Sequence, residues 1–164
     1  VFAKIKRLYL VVDRVFVVAA AVSLIVLMML IVLNGIVRGI YKPFGGTVEV
    51  ASWLAAITTA FAVGNAQLHR AHVSIDLLFN KFPPVLQKIV HALILLLSLL
   101  FFVLLTWQLW KYGMQLKASG NLSETLRIPF YPFVFLTAIG FAGMILTCIV
   151  QFIEIFGGEN PHDV

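Results

Sequence analysis

Four stretches of this chain contain no Asp, Glu, Lys or Arg: Val15–Leu33, Val50–Leu68, Ile89–Trp110 and Ile128–Ile153, of 19, 19, 22 and 26 residues. A helix rising ~1.5 Å per residue needs about 20 residues to cross a hydrocarbon layer ~30 Å thick, and each stretch meets that length. Strands of a membrane barrel would be about 10 residues long with alternating polarity, which is not the pattern here. Composition closes the alternative of a water-soluble core. Of 164 residues, 62% are hydrophobic and 12% charged, against about 45–50% and about 25% in soluble domains. Lipid has to solvate most of this surface. The expected fold class is an all-α integral membrane protein with four transmembrane helices plus short interfacial amphipathic helices. It forms a single membrane domain over 1–164, with spans at about 11–37, 48–69, 86–112 and 128–155.

The first run is expected to be a retained span rather than a cleaved signal peptide. Its apolar core exceeds the usual ~7–15 residues and no small-x-small cleavage site follows. Before it, Phe2, Ile5, Leu8, Tyr9 and Val12 recur at helical spacing, with Lys4, Lys6 and Arg7 off that stripe. Residues 1–12 read as an interfacial amphipathic helix or as a basic stop before the span. The connections, 34–49, 69–88 and 111–127, are too short to fold as domains, as is the tail 154–164.

Seven Lys and Arg residues lie on the side of the termini and five on the other. The positive-inside rule then places both termini in the cytoplasm. Trp53, Trp107, Trp110, Tyr112 and Tyr131 gather at one face as an interfacial belt. The net charge of +5 forms no dense stripe, so phospholipid head groups rather than nucleic acid are the expected counterpart. The single cysteine, Cys148, lies in the fourth run, which excludes an internal disulfide. No Ser/His/Asp or Cys/His set, metal-ligand spacing or glycine-rich phosphate loop is present, so no enzyme and no cofactor are expected.

The second run carries a packing signal. Ser52, Ala56, Ala60 and Gly64 recur every four residues, a ladder of small side chains that lets helix backbones approach closely. Ala138 and Ala142 repeat it more weakly in the fourth. Asn65 and Gln67 suit helix–helix hydrogen bonding or the lining of a polar path. Between the second and third runs, Ile75, Leu78, Phe79 and Phe82 fit a helical stripe, and His72 and Asp76 stand four apart, where they can pair. A short interfacial helix is expected over about 71–82, closed by Pro83 and Pro84.

Glu49, Trp53, Gly64, Asn65 and the run His69-Arg70-Ala71-His72-Val73-Ser74-Ile75-Asp76-Leu77-Leu78 resemble the signature of the small (Q-type) membrane subunit of tripartite ATP-independent periplasmic (TRAP) transporters. That family shows an acidic residue opening the second span, then a basic residue and an H-hydrophobic-x-hydrophobic-D element at its exit. His72, Val73, Ile75 and Asp76 match that element, and Leu126-Arg127-Ile128-Pro129 matches an L-x-I-P element opening the fourth span. Val48 departs from the pattern, standing where many members carry a second acidic residue.

The resemblance implies a scaffold subunit of the bacterial inner membrane. Its partners would be a large multi-span membrane subunit with an elevator-type transport domain and a periplasmic substrate-binding protein. Uptake of an organic acid would be driven by an ion gradient, usually sodium, bound in the large subunit. Glu49, Ser52, Trp53, Ala56, Ala60, Gly64, Asn65, His69, Arg70, His72 and Asp76 are then the expected structural and subunit-interface residues, with no substrate site in this chain. Glu49, at the edge of its run, also reads as a solvated acid suited to a helix N-terminus. Two other classes stay open. His69 or His72 facing His91 could ligate haem in a respiratory membrane anchor, and Glu49 could serve a small proton-coupled exporter, although no other acid lies within the four apolar runs.

Overall fold

The computed structural model describes residues 2–42, 44–68 and 84–156. Four helices carry it: α1 (Phe2–Ile40), α2 (Thr47–Leu68), α3 (Pro84–Ser119) and α4 (Tyr131–Phe156). All four are long and apolar enough to span a membrane, and the chain is an all-α membrane protein.

The helix ends follow local chemistry. In α1, residues 2–12 continue into the span without a break, so the interfacial segment expected over 1–12 is not a separate element. Pro84 opens α3, where its missing N–H and fixed φ cost nothing. Gly120, at φ +64°, closes α3 in the left-handed conformation that glycine adopts without strain. The Thr47 N–H and hydroxyl both donate to the Phe44 carbonyl (3.2 and 2.7 Å) at the start of α2. Helix α4 begins at Tyr131, because Leu126–Phe130 belong to a folded loop described below. The second interfacial segment, at about 71–82, lies outside the described residues.

The helices form a row in the order α1, α2, α4, α3, with α1 also touching α4. Only 6% of the spanning windows of α1 and α3 is buried, against 28% and 39% for α2 and α4. The second and fourth helices are therefore the inner pair. Exposed Val, Leu and Ile cover the outer two, as a lipid solvent allows.

Small residues decide how the inner pair meets. Ala60 is fully buried, and a Cβ on Gly140 would stand 2.8 Å from that of Ala60. Gly64 lies against Thr147 and the backbone of Gly143 and Met144. In lipid no hydrophobic drive pulls helices together, so close backbone approach and dispersion supply the association. Helix α1 joins through Phe16, whose ring occupies the space a side chain at Gly143 would take and meets Phe61 edge-on at 4.8 Å. Ala20, Ile57 and Phe61 complete that core. Helix α3 packs on the other side of α4, with Leu95 buried, Phe102 against Phe141 at 5.8 Å, and Phe135 between Trp110 and Gly113.

Candidate functional site

Polar contacts gather at the two ends of α2. At its first turn the Glu49 carboxylate accepts two backbone N–H groups from the loop between α3 and α4: Thr125 to Oε1 at 2.7 Å and Leu126 to Oε2 at 3.2 Å. Two donors on one carboxylate make a directional, charge-assisted clamp.

The loop is already folded by its own bonds. Ser123 N–H donates to the Ile128 carbonyl, Arg127 N–H to the Ser123 carbonyl, and Ile128 N–H to the Ser123 hydroxyl. Leu122 and Pro129 form an antiparallel bridge across it. Arg127 takes a φ of +52°, where a Cβ is crowded and glycine is the usual occupant. Leu126 lies over Gly46 so closely that a side chain there would overlap it, and Thr125 lies against Gly45. Glycine at 46 is what allows the loop to reach Glu49.

One turn on, Trp53 stacks on Phe133 at 4.6 Å and, more loosely, on Phe130 at 6.4 Å. The α1 end ties in through Asn34, whose Oδ1 accepts the Phe44 N–H at 3.0 Å. Two connections of the chain, α1–α2 and α3–α4, thus converge at this end.

Asn65 lies sixteen residues after Glu49, about 24 Å along the helix. Its amide Nδ2 donates to Oδ2 of Asp13 in α1 at 2.8 Å. Gln67 and Gln151 bond reciprocally between α2 and α4: the Gln67 amide donates to Oε1 of Gln151, and the Gln151 amide to the Gln67 carbonyl, both at 3.1 Å.

These contacts redistribute the residues expected from sequence. Glu49 and Trp53 come together with the Leu126–Pro129 element, and Asn65 bonds to α1. Ala60 and Gly64 are occupied inside the subunit by α4, whereas Ser52 and Ala56 are exposed, with the Ser52 hydroxyl turned back to the Val48 carbonyl at 2.8 Å. The ladder is therefore exposed in its first half and buried in its second. His69, Arg70, His72 and Asp76 lie outside the described residues, as does the side chain of His91, and with them the haem alternative. Among the described residues no group of three His, Cys, Asp or Glu side chains converges as metal ligands would.

Sequence reasoning missed Asp13, Asn34, Thr125 and Gln151. Asp13 had a signal: it stands two residues before the first uncharged run, inside the span expected over about 11–37. Thr125 had none, because it acts through a backbone N–H group that every residue carries, and Leu126 was marked only as the first residue of the L-x-I-P element.

A family model described as "Tripartite ATP-independent periplasmic transporters, DctQ component" matches residues 27–158. No curated protein and no solved structure matches the chain. The match spans most of the chain, and the chain belongs to the DctQ component family of TRAP transporters. It is a multi-pass inner-membrane transport subunit. Membership implies partnership with a large TRAP membrane subunit and a periplasmic binding protein.

Proposed function

We propose that this subunit is a passive scaffold: it braces an elevator-type large subunit during ion-gradient-driven uptake of an organic acid delivered by the binding protein. Sodium is the coupling ion and binds in the large subunit. The chain itself performs no catalytic step and holds no cofactor. Both termini face the cytoplasm, so the Glu49 end faces the periplasm.

The observation that carries this reading is the polar clamping of α2 at both ends, in a chain of the DctQ family. A scaffold has to keep its helices fixed while a neighbour moves. Glu49 holds the outer loop, Asn65 holds α1 and Gln67 holds α4, while the middle of α2 packs on Gly140 and Gly143. Each contact holds two elements in place.

The test is reconstitution of the large subunit and binding protein in liposomes, with and without this chain. Organic-acid uptake driven by an inward sodium gradient is expected to need all three. Undiminished uptake without this chain would overturn the scaffold role, and uptake indifferent to sodium would overturn the coupling.

A further inference from the structure

The loop between α3 and α4 is closed by bonds that do not involve Glu49. Ser123 N–H donates to the Ile128 carbonyl at 3.0 Å, Arg127 N–H to the Ser123 carbonyl at 3.2 Å, and Ile128 N–H to the Ser123 hydroxyl at 3.4 Å. The Leu122–Pro129 bridge lies across them. These bonds leave two consecutive donors, the N–H groups of Thr125 and Leu126, for the two oxygens of one carboxylate, at 2.7 and 3.2 Å. Successive backbone N–H groups beside a left-handed residue, here Arg127 at φ +52°, form a concavity suited to anions.

Two side chains add to the same spot. The hydroxyls of Ser123 and Thr125 stand close enough to the carboxylate to stabilise its charge. Ser123 is only 8% exposed, so the loop itself fixes its hydroxyl. Thr125 is exposed, which leaves the seat open to an anion arriving from water. The carboxylate that fills the seat comes from a different element, the first turn of α2.

We infer that the α3–α4 loop is a preformed receptor for a carboxylate anion, and that Glu49 is its tethered, replaceable ligand. A small carboxylate in solution then takes the seat when residue 49 has none of its own. Replacing Glu49 by Ala removes Cγ, Cδ and both oxygens, which are the heavy atoms of acetate. In the intact chain the tether holds Glu49 at an effective concentration far above that of any dilute free carboxylate, so the seat stays closed to outsiders. The inference goes beyond the scaffold reading and does not depend on it.

The experiment follows amide hydrogen exchange at Thr125 and Leu126 in the full chain in nanodiscs, for wild type, Glu49→Ala and Glu124→Ala. Each is measured at neutral pH in sodium acetate and in sodium chloride of equal ionic strength. Glu124, exposed on the same loop, controls for the loss of one negative charge. In chloride, Glu49→Ala is expected to exchange roughly tenfold faster than wild type at both amides. Acetate at about 0.1 M should slow that exchange about threefold or more, and the effect should saturate. Wild type and Glu124→Ala should not respond to acetate. Exchange in Glu49→Ala that stays fast in acetate overturns the inference, because the loop then needs the tether in order to form. Slow exchange of Glu49→Ala in chloride also overturns it, since the donors then need no anion. An equal acetate response in wild type or Glu124→Ala would show a general salt effect and count against it in the same way. Should Glu49→Ala not survive extraction in chloride, the yield of folded protein extracted in acetate becomes the readout. Recovery in acetate supports the receptor, and equal loss in both salts overturns it.

Discussion

The Glu49 carboxylate and the backbone N–H of Thr125 are 76 residues apart in the chain and 2.7 Å apart in space. With the Leu126 N–H on its second oxygen, Glu49 joins the first turn of α2 to the loop that leads into α4. A single side chain thereby couples two connections that share no secondary structure. The second acid that many family members place beside it is Val48 here, which is 76% exposed. One carboxylate is enough to hold both donors.

Replacing Glu49 by Gln leaves one oxygen where there were two and introduces an N–H₂ facing backbone donors. Amide hydrogen exchange at Thr125 and Leu126 is expected to accelerate roughly tenfold or more in Glu49→Gln, and further in Glu49→Ala, with little change in the middle of α2. Unchanged protection in both variants would mean that the loop holds its place through its own bonds.

The small-residue ladder divides into an inner and an outer half, and substitution should separate them. Ala60→Leu forces α2 and α4 apart where Gly140 has no side chain to withdraw, costing about 1–3 kcal/mol or more by overpacking. Lower thermal stability of the subunit alone is the measurement. Ala56→Leu, at an exposed position, should leave that stability within about 0.5 kcal/mol. Any loss it causes should appear only in retention of the large subunit. Destabilisation by Ala56→Leu equal to that of Ala60→Leu would contradict this division.

Arg127 occupies a backbone conformation that costs a residue with a Cβ roughly 1–2 kcal/mol. Arg127→Gly should remove that strain, and after the extra chain entropy of glycine about 0.5–1 kcal/mol of stabilisation should remain. Arg127→Ala keeps the strain and loses the charge, so it serves as the control. A lower unfolding temperature for Arg127→Gly than for Arg127→Ala would show that the positive φ is not retained in solution.

Orientation is open to direct labelling. In a Cys148→Ser background, a membrane-impermeant thiol reagent applied to intact spheroplasts should modify Ser119→Cys and spare Asn80→Cys. The expectation rests on the excess of Lys and Arg on the side of the termini. Labelling of Asn80→Cys alone would invert the topology and place the Glu49 loop in the cytoplasm.

Hydropathy alone determined that this chain crosses the membrane four times, because about 20 uncharged residues have one stable environment. The family, too, was legible before any fold. Glu49, Trp53, Gly64 and the His72–Asp76 element occupy recognisable spacings along one helix and its exit. The tertiary structure alone decided the order of the row and the partners of these residues. It put Ala60 and Gly64 against Gly140 and Gly143 rather than against another protein, gave Thr125 and Leu126 to Glu49, and gave Asp13 to Asn65. The reason lies in the solvent. In water an apolar stripe on a helix marks its buried face. In lipid every face is apolar, so the packed face is set by steric fit between small residues and by a few polar groups that need each other. Both are properties of pairs of helices, and a sequence read one segment at a time does not contain them.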